Sequence, residues 1–350
     1  MVLCDAAALA LIEAAFAERT DVFLVPAHMP CEKELVCFSE LIKERVAVIF
    51  PREPVVPKNL PALVYRDGTF FGNKESRWIF ASSAAFAENE FTGFLLQSGC
   101  KRLLVPFADC AALYADAHSD AMRYIGDFRA SSPEAFQLIA LFSCDISGEE
   151  KSFAHIFSCS RYVLAGVPGN YAVLPRERLT REAVFYAAAD ESEKRFGERT
   201  AVFCNDRLTA EHFAAFMQKR GTPCPVFHGG KTFEEKRAAV NAFSAENGTL
   251  IAATAVFLPT SLFCDIRNVI LCGVPSDVRF AERIIKAVPE AECLPWVFCP
   301  DDIKRAVGRI YYYASLLPPE EKEIFLRLRM RTLENILKSN IEKGDDFFEG

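Results

Sequence analysis

The residues whose types could do chemistry lie mainly in the second half of the chain, each just after a short apolar run. They supply an amide, a guanidinium, an imidazole, a hydroxyl and two glycines, groups that can hydrogen-bond a ligand through side chain or backbone. Such residues also form turns and helix caps without any ligand, so both interpretations stay open. The set consists of Asn205, Arg207, His228, Gly229, Gly230 and Thr254.

Motifs of hydrolases and metalloenzymes do not occur in the sequence. There is no Gly-x-Ser-x-Gly turn and no His-Glu-x-x-His pair, and the five histidines are isolated. Cys204 lies beside no base in the sequence, which gives a thiol nucleophile little support. The thirteen cysteines are scattered without a Cys-x-x-Cys pair. This pattern favours reduced, buried thiols and predicts neither a bound metal nor a cofactor.

The residues from 200 to 272 alternate between strand and helix patterns. Apolar runs at 201–203 and 250–253 are separated by helical segments, the pattern of crossover units in a parallel sheet. The first helix is expected to end at Gly221, and the second begins with Thr232 and Glu235 at capping-box spacing. An α/β fold is therefore predicted.

The order of these pieces resembles the second motor domain of superfamily 2 helicases and is most similar to the RecQ group. The matching motifs fall at Cys204–Arg207, Phe227–Gly230, Glu234–Arg237 and Ala253–Thr254. The resemblance extends over nearly all of residues 1–310 and implies two tandem RecA-like domains with parallel sheets. It also implies that the turns after these strands contact the phosphate backbone of a nucleic acid.

The positions that hold ATP and Mg²⁺ in such helicases carry other residues in this chain. In the phosphate-binding loop, Cys31 takes the lysine position, Glu32 takes the hydroxyl position and Lys33 lies two positions late. A negative charge there repels a triphosphate. Pro106 and Phe107 take the two carboxylate positions, and neither side chain can ligate a metal. ATP binding in the usual manner is therefore not expected.

Two further motifs of the resemblance are altered. Ala287 and Glu290 fall on its two arginine positions, with Arg283 and Lys286 close by in the sequence. Loss of an arginine finger lowers the rate of phosphoryl transfer by roughly 10³ to 10⁵. Tyr114 takes the tryptophan position of an aromatic loop that stacks bases in the family, although a surface or buried aromatic side chain is the alternative.

The same comparison predicts the domain boundaries. They are a first RecA-like domain at 1–165, a linker at 166–180, a second RecA-like domain at 181–315, and a C-terminal part at 316–350. In that last part the sequence predicts an amphipathic helix at 319–343 and a disordered acidic, aromatic tail. Arg327, Arg329 and Arg331 form a basic cluster on this helix, either a solvated face or a contact to phosphate or a partner.

The composition of the chain limits the kinds of partner that it is expected to bind. The formal net charge of −7 argues against broad electrostatic affinity for nucleic acid but allows a local groove. No run of 18 apolar residues and no signal peptide pattern occur, so no membrane partner and a cytoplasmic location are expected.

Three hypotheses remain for function. The first is a catalytically degenerate RecQ-like core that binds single-stranded or forked DNA in replication, repair or recombination. The second is a scaffold that binds a protein partner through the C-terminal helix and tail. The third is a weakly active ATP-dependent DNA helicase in which Lys33 and Lys286 act from shifted positions.

Overall fold

A computed structural model gives the structure of most of the 350-residue chain. The residues it describes are 3, 5–26, 28–56, 61–111, 119–132, 135–143, 146, 148–166, 176–178, 181–195, 197–273, 279–288, 291–293, 296–317, 319, 322–323, 325–327, 329–330 and 333.

The backbone divides into two compact units. Unit 1 comprises 1–170 with 258–263 and 286–289, and unit 2 comprises 171–257, 264–285 and 290–350. The domain boundaries at 165 and 181 stay a prediction, and most of the proposed linker lies outside the described residues. None of the helices in the described ranges combines the length and the apolar character needed to cross a bilayer.

Unit 1 alternates between strands and helices, as the sequence predicts. Its helices are α1 (Ala6–Ala17), α2 (Glu32–Ile42), α3 (Asn89–Gln97), α4 (Ser119–Ser131) and α5 (Glu150–Ile156). Its strands are β1 (Asp21–Val25), β2 (Val46–Phe50), β3 (Ala62–Arg66), β4 (Thr69–Gly72), β5 (Trp78–Ser82), β6 (Arg102–Val105), β7 (Gln137–Leu141) and β8 (Tyr162–Gly166).

These strands form one eight-stranded sheet in the order β4-β3-β5-β2-β6-β7-β1-β8. Neighbouring strands are parallel except β3 and β4. Every residue of β1, β2, β6 and β7 is buried, which matches their nearly continuous apolar sequences. A parallel sheet with both faces covered requires this pattern, so the core of unit 1 lies on its central strands.

The β3–β4 hairpin was not predicted from the sequence. Asp67 and Gly68 form the connection with φ angles of 48° and 72°, and the flanking strands pair antiparallel from Arg66↔Thr69 outward. Two successive left-handed residues give the turn whose twist matches a two-residue hairpin. The strands were missed because each is short and the preceding Pro-rich stretch obscures the apolar alternation.

The elements after residue 175 are the strands of the second sheet and the remaining helices. The strands are β9 (Arg176–Arg178), β10 (Thr200–Cys204), β11 (Val226–Phe227), β12 (Leu250–Ala253), β13 (Asn268–Cys272), β14 (Glu292–Cys293) and β15 (Trp296–Phe298). The helices are α6 (Arg181–Lys194), α7 (Arg207–Lys219), α8 (Phe233–Ser244), α9 (Leu258–Ser261), α10 (Arg279–Ala287) and α11 (Pro300–Ser315).

The second sheet has the order β11-β12-β10-β13-β15-β9, with β14 beside β13, and its described pairings are parallel. Gly221 follows α7 with a φ of 82°, and Thr232 and Glu235 form the predicted capping box of α8. The α/β fold with parallel sheets is thereby confirmed.

Helix α11 is a second element that was not predicted from the sequence. It begins at Pro300. Proline fits the first helical position because its missing N–H is unpaired there in any helix, and the Asp302 carboxylate accepts a hydrogen bond from the Cys299 N–H at 2.9 Å. Of the predicted helix at 319–343, described residues between 319 and 333 are helical. The acidic tail lies outside the described residues.

Candidate functional site

The predicted polar residues of unit 2 share one edge of its sheet. Strand β12 lies between β11 and β10, with Phe227 and Phe203 both in register with Ala253. Because the strands are parallel, the residues that follow them meet at the carboxyl edge. This edge is where α/β proteins commonly bind ligands. Asn205, His228 and Thr254 each follow one of these strands, so the fold brings them together.

His228 organises the turn after β11. It is 5% exposed, its Nδ1 accepts a hydrogen bond from the Gly230 N–H at 3.0 Å, and its Nε2 lies 2.9 Å from Glu211 Oε1. Since Nδ1 is an acceptor, the proton lies on Nε2 and is donated to Glu211. The imidazole therefore has both nitrogens engaged and holds the turn.

Cationic groups surround this turn. Lys231 Nζ lies 2.7 Å from Glu211 Oε1, and hydrogen bonds from Lys231 first and His228 second lower the pKa of Glu211 below its ordinary value. The guanidinium of Arg207 reaches the turn from α7, because a Cβ placed on Gly230 would be 3.3 Å from Arg207 Nη1. Gly229 precedes Gly230 in the same turn. Arg207 and Lys231 thus place two positive side chains beside this glycine turn.

Asn205 and Thr254 complete the edge. The Asn205 side chain packs against Gly273, where an added Cβ would lie 2.2 Å from Asn205 Nδ2, and the φ of Gly273 is 91°. The Thr254 N–H donates to Phe227 O at 3.1 Å, and Thr254 O accepts from the Phe257 N–H at 2.9 Å. The backbone of Thr254 therefore forms a turn, which agrees with its interpretation as a turn residue that needs no ligand.

The loop at the phosphate-binding position of unit 1 is capped by the chain's own carboxylate. Helix α2 begins at Glu32, directly after Cys31, whose N–H donates to Glu34 Oε2 at 3.3 Å. Glu34 Oε1 lies 3.1 Å from His28 Nε2, and Glu34 is 6% exposed. A helix N-terminus attracts one anion through its free N–H groups. Glu34 already fills that role, while Lys33 is exposed in the first turn of α2.

The metal-binding position after β6 lacks carboxylate ligands. Pro106 and the buried Phe107 occupy it, and Phe107 has a φ of 58°. The nearest carboxylate along the chain, Asp109, is fully buried and accepts hydrogen bonds from the Ser143 N–H and hydroxyl at 2.8 Å each. Asp109 joins the loops after β6 and β7, a structural role. The described residues contain no group of three or more His, Cys, Asp or Glu side chains that could hold a metal.

Of the remaining predicted site residues, Ala287 is buried at the end of α10, and its neighbours Arg283 and Lys286 are buried as well. Tyr114 and Glu290 lie outside the described residues. Sequence reasoning missed Glu34, although its spacing of three from Cys31 is that of a capping box. It also missed Glu211, which lies one helical turn after Arg207.

Comparisons with known proteins agree with this architecture. Residues 179–311 match the model of the Helicase conserved C-terminal domain. A curated relative, the DEAD-box ATP-dependent RNA helicase 35B of Oryza sativa subsp. japonica, is 29% identical over 84 residues. That match covers 24% of this chain and 14% of the relative, so the similarity is confined to a small part of that protein. Residues 179–311 are thus similar in sequence to a helicase C-terminal domain.

Solved helicase structures share the fold at low identity. Mss116p bound to ssRNA and AMP-PNP matches with a TM-score of 0.58 at 12% identity, over 92% of this chain and 77% of that one. S. cerevisiae Dbp5 bound to RNA and ADP BeF3 matches with a TM-score of 0.55 at 11% identity, over 93% of this chain and 86% of Dbp5. The DUF1998 helicase MrfA bound to DNA matches with a TM-score of 0.53 at 11% identity, over 93% of this chain and 51% of MrfA. At these identities the likenesses show a shared α/β fold.

Proposed function

We propose that this protein binds single-stranded nucleic acid through a RecQ-like helicase core that does not hydrolyse ATP. The observation that carries the proposal is a contrast between the two units. The carboxyl edge of unit 2 presents Arg207, Lys231 and a glycine turn, whereas the phosphate-loop position of unit 1 is filled by Glu34.

The edge of unit 2 has the groups that contact a phosphate backbone. Arginine, lysine and backbone N–H groups make most protein contacts to phosphate and sugar, and these contacts set register without reading sequence. Mss116p and Dbp5 were solved with RNA and MrfA with DNA, which supports nucleic acid as the class of ligand. RNA is therefore a candidate alongside the DNA that the RecQ-like motifs favour.

Three features of the nucleotide site support the absence of hydrolysis. The Glu34 carboxylate competes with a phosphate for the N-terminus of α2. The side chains of Pro106 and Phe107 offer no oxygen to Mg²⁺. Ala287 has no charge to stabilise the transition state. Each change removes a different part of the machinery, so restoring any one of them is not expected to restore activity.

The test is fluorescence anisotropy of labelled single-stranded RNA and DNA, titrated over a series of salt concentrations. Arg207→Ala should weaken binding and make the slope of log K against log salt shallower by about 0.7, the value for one lost phosphate contact on a single strand. Lys219→Ala is the matched control, because Lys219 is exposed at the far end of the same helix. Equal effects of the two variants, or no binding at low salt, would refute the proposal.

A parallel ATPase assay tests the second half of the proposal. We expect no hydrolysis above background with or without oligonucleotide. Hydrolysis that Lys33→Ala abolishes would establish the weakly active helicase instead. A protein without oligonucleotide binding and without hydrolysis would favour the scaffold hypothesis, which the net charge of −7 also suits.

A further inference from the structure

A groove on α11 lies next to the candidate edge of unit 2. Gly308 and Arg309 lie three and four residues after Arg305, and Tyr312 lies four and three residues after them, which places the four on one face of the helix. Arg309 Nη1 donates a hydrogen bond to Asn205 O at 2.9 Å, so this face directly adjoins the turn after β10.

The face encloses a shallow cavity of about 320 Å³. Asp206, Arg305, Gly308, Arg309 and Tyr312 line it. Gly308 leaves a notch between its neighbours, because a Cβ added there would meet no atom within 4 Å. Tyr312 stands beside the notch and is 60% exposed. The volume is at the lower end of those that hold small ligands or ligand fragments.

The charges of this face are unevenly paired. Arg305 Nη1 and Arg309 Nη2 both lie 3.8 Å from Asp206 Oδ2, beyond hydrogen-bond distance. Asp206 Oδ1 accepts from the Thr209 N–H at 2.8 Å and caps α7. Among the described residues, Arg309 Nη2 has no hydrogen-bond acceptor. Because one carboxylate lies beside two guanidinium groups, this face has a net positive charge, whereas the whole chain has a net charge of −7.

We propose that this α11 groove continues the path of a single-stranded nucleic acid from the edge at Asn205 and Arg207. Arg305 and Arg309 contact backbone phosphates, the latter by turning Nη2 toward the groove, and Tyr312 stacks a base over the Gly308 notch. Basic side chains interleaved with exposed aromatics are the usual means of holding a single strand without sequence preference. The inference rests on the proposed function, because the groove extends that site.

The structure favours a strand over an acidic peptide in this groove. The groove opens beside the Asn205 turn, through Arg309, so a strand bound at the edge reaches it without a gap. The two guanidiniums lie one helical turn apart, and an exposed ring stands next to a notch without a side chain. This combination suits a phosphate chain with a planar base.

The test compares oligonucleotides of about 4 to 16 nucleotides, the usual range of single-strand site sizes. Two variants impair the groove: Tyr312→Ala removes the ring and Gly308→Glu fills the notch with negative charge. A matched control leaves it intact: Tyr311→Ala removes an exposed ring of the same helix that does not line the cavity.

We expect the groove variants to weaken binding of the longest strands about tenfold, within the range for loss of one base–aromatic stack, and the shortest strands little. The Tyr311→Ala control should bind as wild type does. Photocrosslinking of the wild-type protein to 4-thiouridine strands should label the peptide that contains Tyr312.

Groove and control variants with equal affinity at every length, together with crosslinks elsewhere, would overturn the inference. If Arg207→Ala still weakens binding in that case, the proposed function stands and only the groove fails. If Arg207→Ala has no effect either, both fail. Binding of an acidic peptide with the sequence of residues 344–350, and of no oligonucleotide, would also overturn the assignment to nucleic acid.

Discussion

Replacing Arg129 by methionine is expected to destabilise unit 1 strongly. Arg129 lies on α4, and its Nη2 donates to both carboxylate oxygens of Asp21 at 2.8 Å each. Its Nη1 donates to Phe157 O at 2.6 Å. Asp21 on β1 also accepts from the Leu138 N–H at 2.8 Å. Asp21 and Arg129 are 6% and 5% exposed, so the ion pair is buried.

The loss of unfolding free energy depends on the Asp21 charge that the substitution leaves unpaired. Removing one partner of a buried ion pair strands the other charge and costs about 3–5 kcal/mol. We expect the lower end, about 3 kcal/mol, because Leu138 still donates to the Asp21 carboxylate. The double variant Asp21→Asn/Arg129→Met removes the stranded charge and keeps an oxygen for Leu138. It should therefore recover at least about 1 kcal/mol of the loss.

The assay is urea unfolding followed by tryptophan fluorescence. The chain has two tryptophans, and replacing Trp296 by phenylalanine leaves the buried Trp78 of β5 as the reporter of unit 1. The midpoint should fall while the slope m stays constant. Arg123→Met, at an exposed position of the same helix, is the control and should change stability little. A loss below about 1 kcal/mol, or a double variant as unstable as the single one, would contradict the reasoning.

Three further outcomes are expected. Gly273→Ala should lower oligonucleotide affinity severalfold in anisotropy titrations. The added methyl group would lie 2.2 Å from Asn205 Nδ2 and displace that side chain, and an L-residue is strained at a φ of 91°. Unchanged affinity would show that Asn205 does not contribute to binding. The lowered pKa of Glu211 contributes stability above the ordinary glutamate pKa of 4.5 that is lost as the pH falls through the lowered value. Lys231→Met should raise that pKa in an NMR titration, and a constant pKa would reject the pairing. Burial raises the pKa of the Cys100 thiol to about 11, so iodoacetamide at pH 8 should label this thiol only after unfolding. Rapid labelling of Cys100 in the native protein would contradict this prediction.

Much of the architecture was predictable because its signals are local. Apolar runs at 201–203 and 250–253 predicted the buried parallel strands, and the Thr232/Glu235 spacing predicted the cap of α8. The hairpin at Asp67–Gly68, whose second strand is mostly exposed, and helix α11, which begins at a proline, were not predicted.

The sequence alone determined which residue types stand at the nucleotide position and at the strand ends, because position within a motif needs no knowledge of contacts. Only the tertiary structure decided what those residues touch. His228 meets Glu211 across 17 residues, Asp109 meets Ser143 across 34, and Arg309 meets Asn205 across 104. The order of parallel strands brings such partners together, and many orders are compatible with one pattern of apolar runs. Local spacing fixes helices and strands, whereas long-range packing selects the partners of a site.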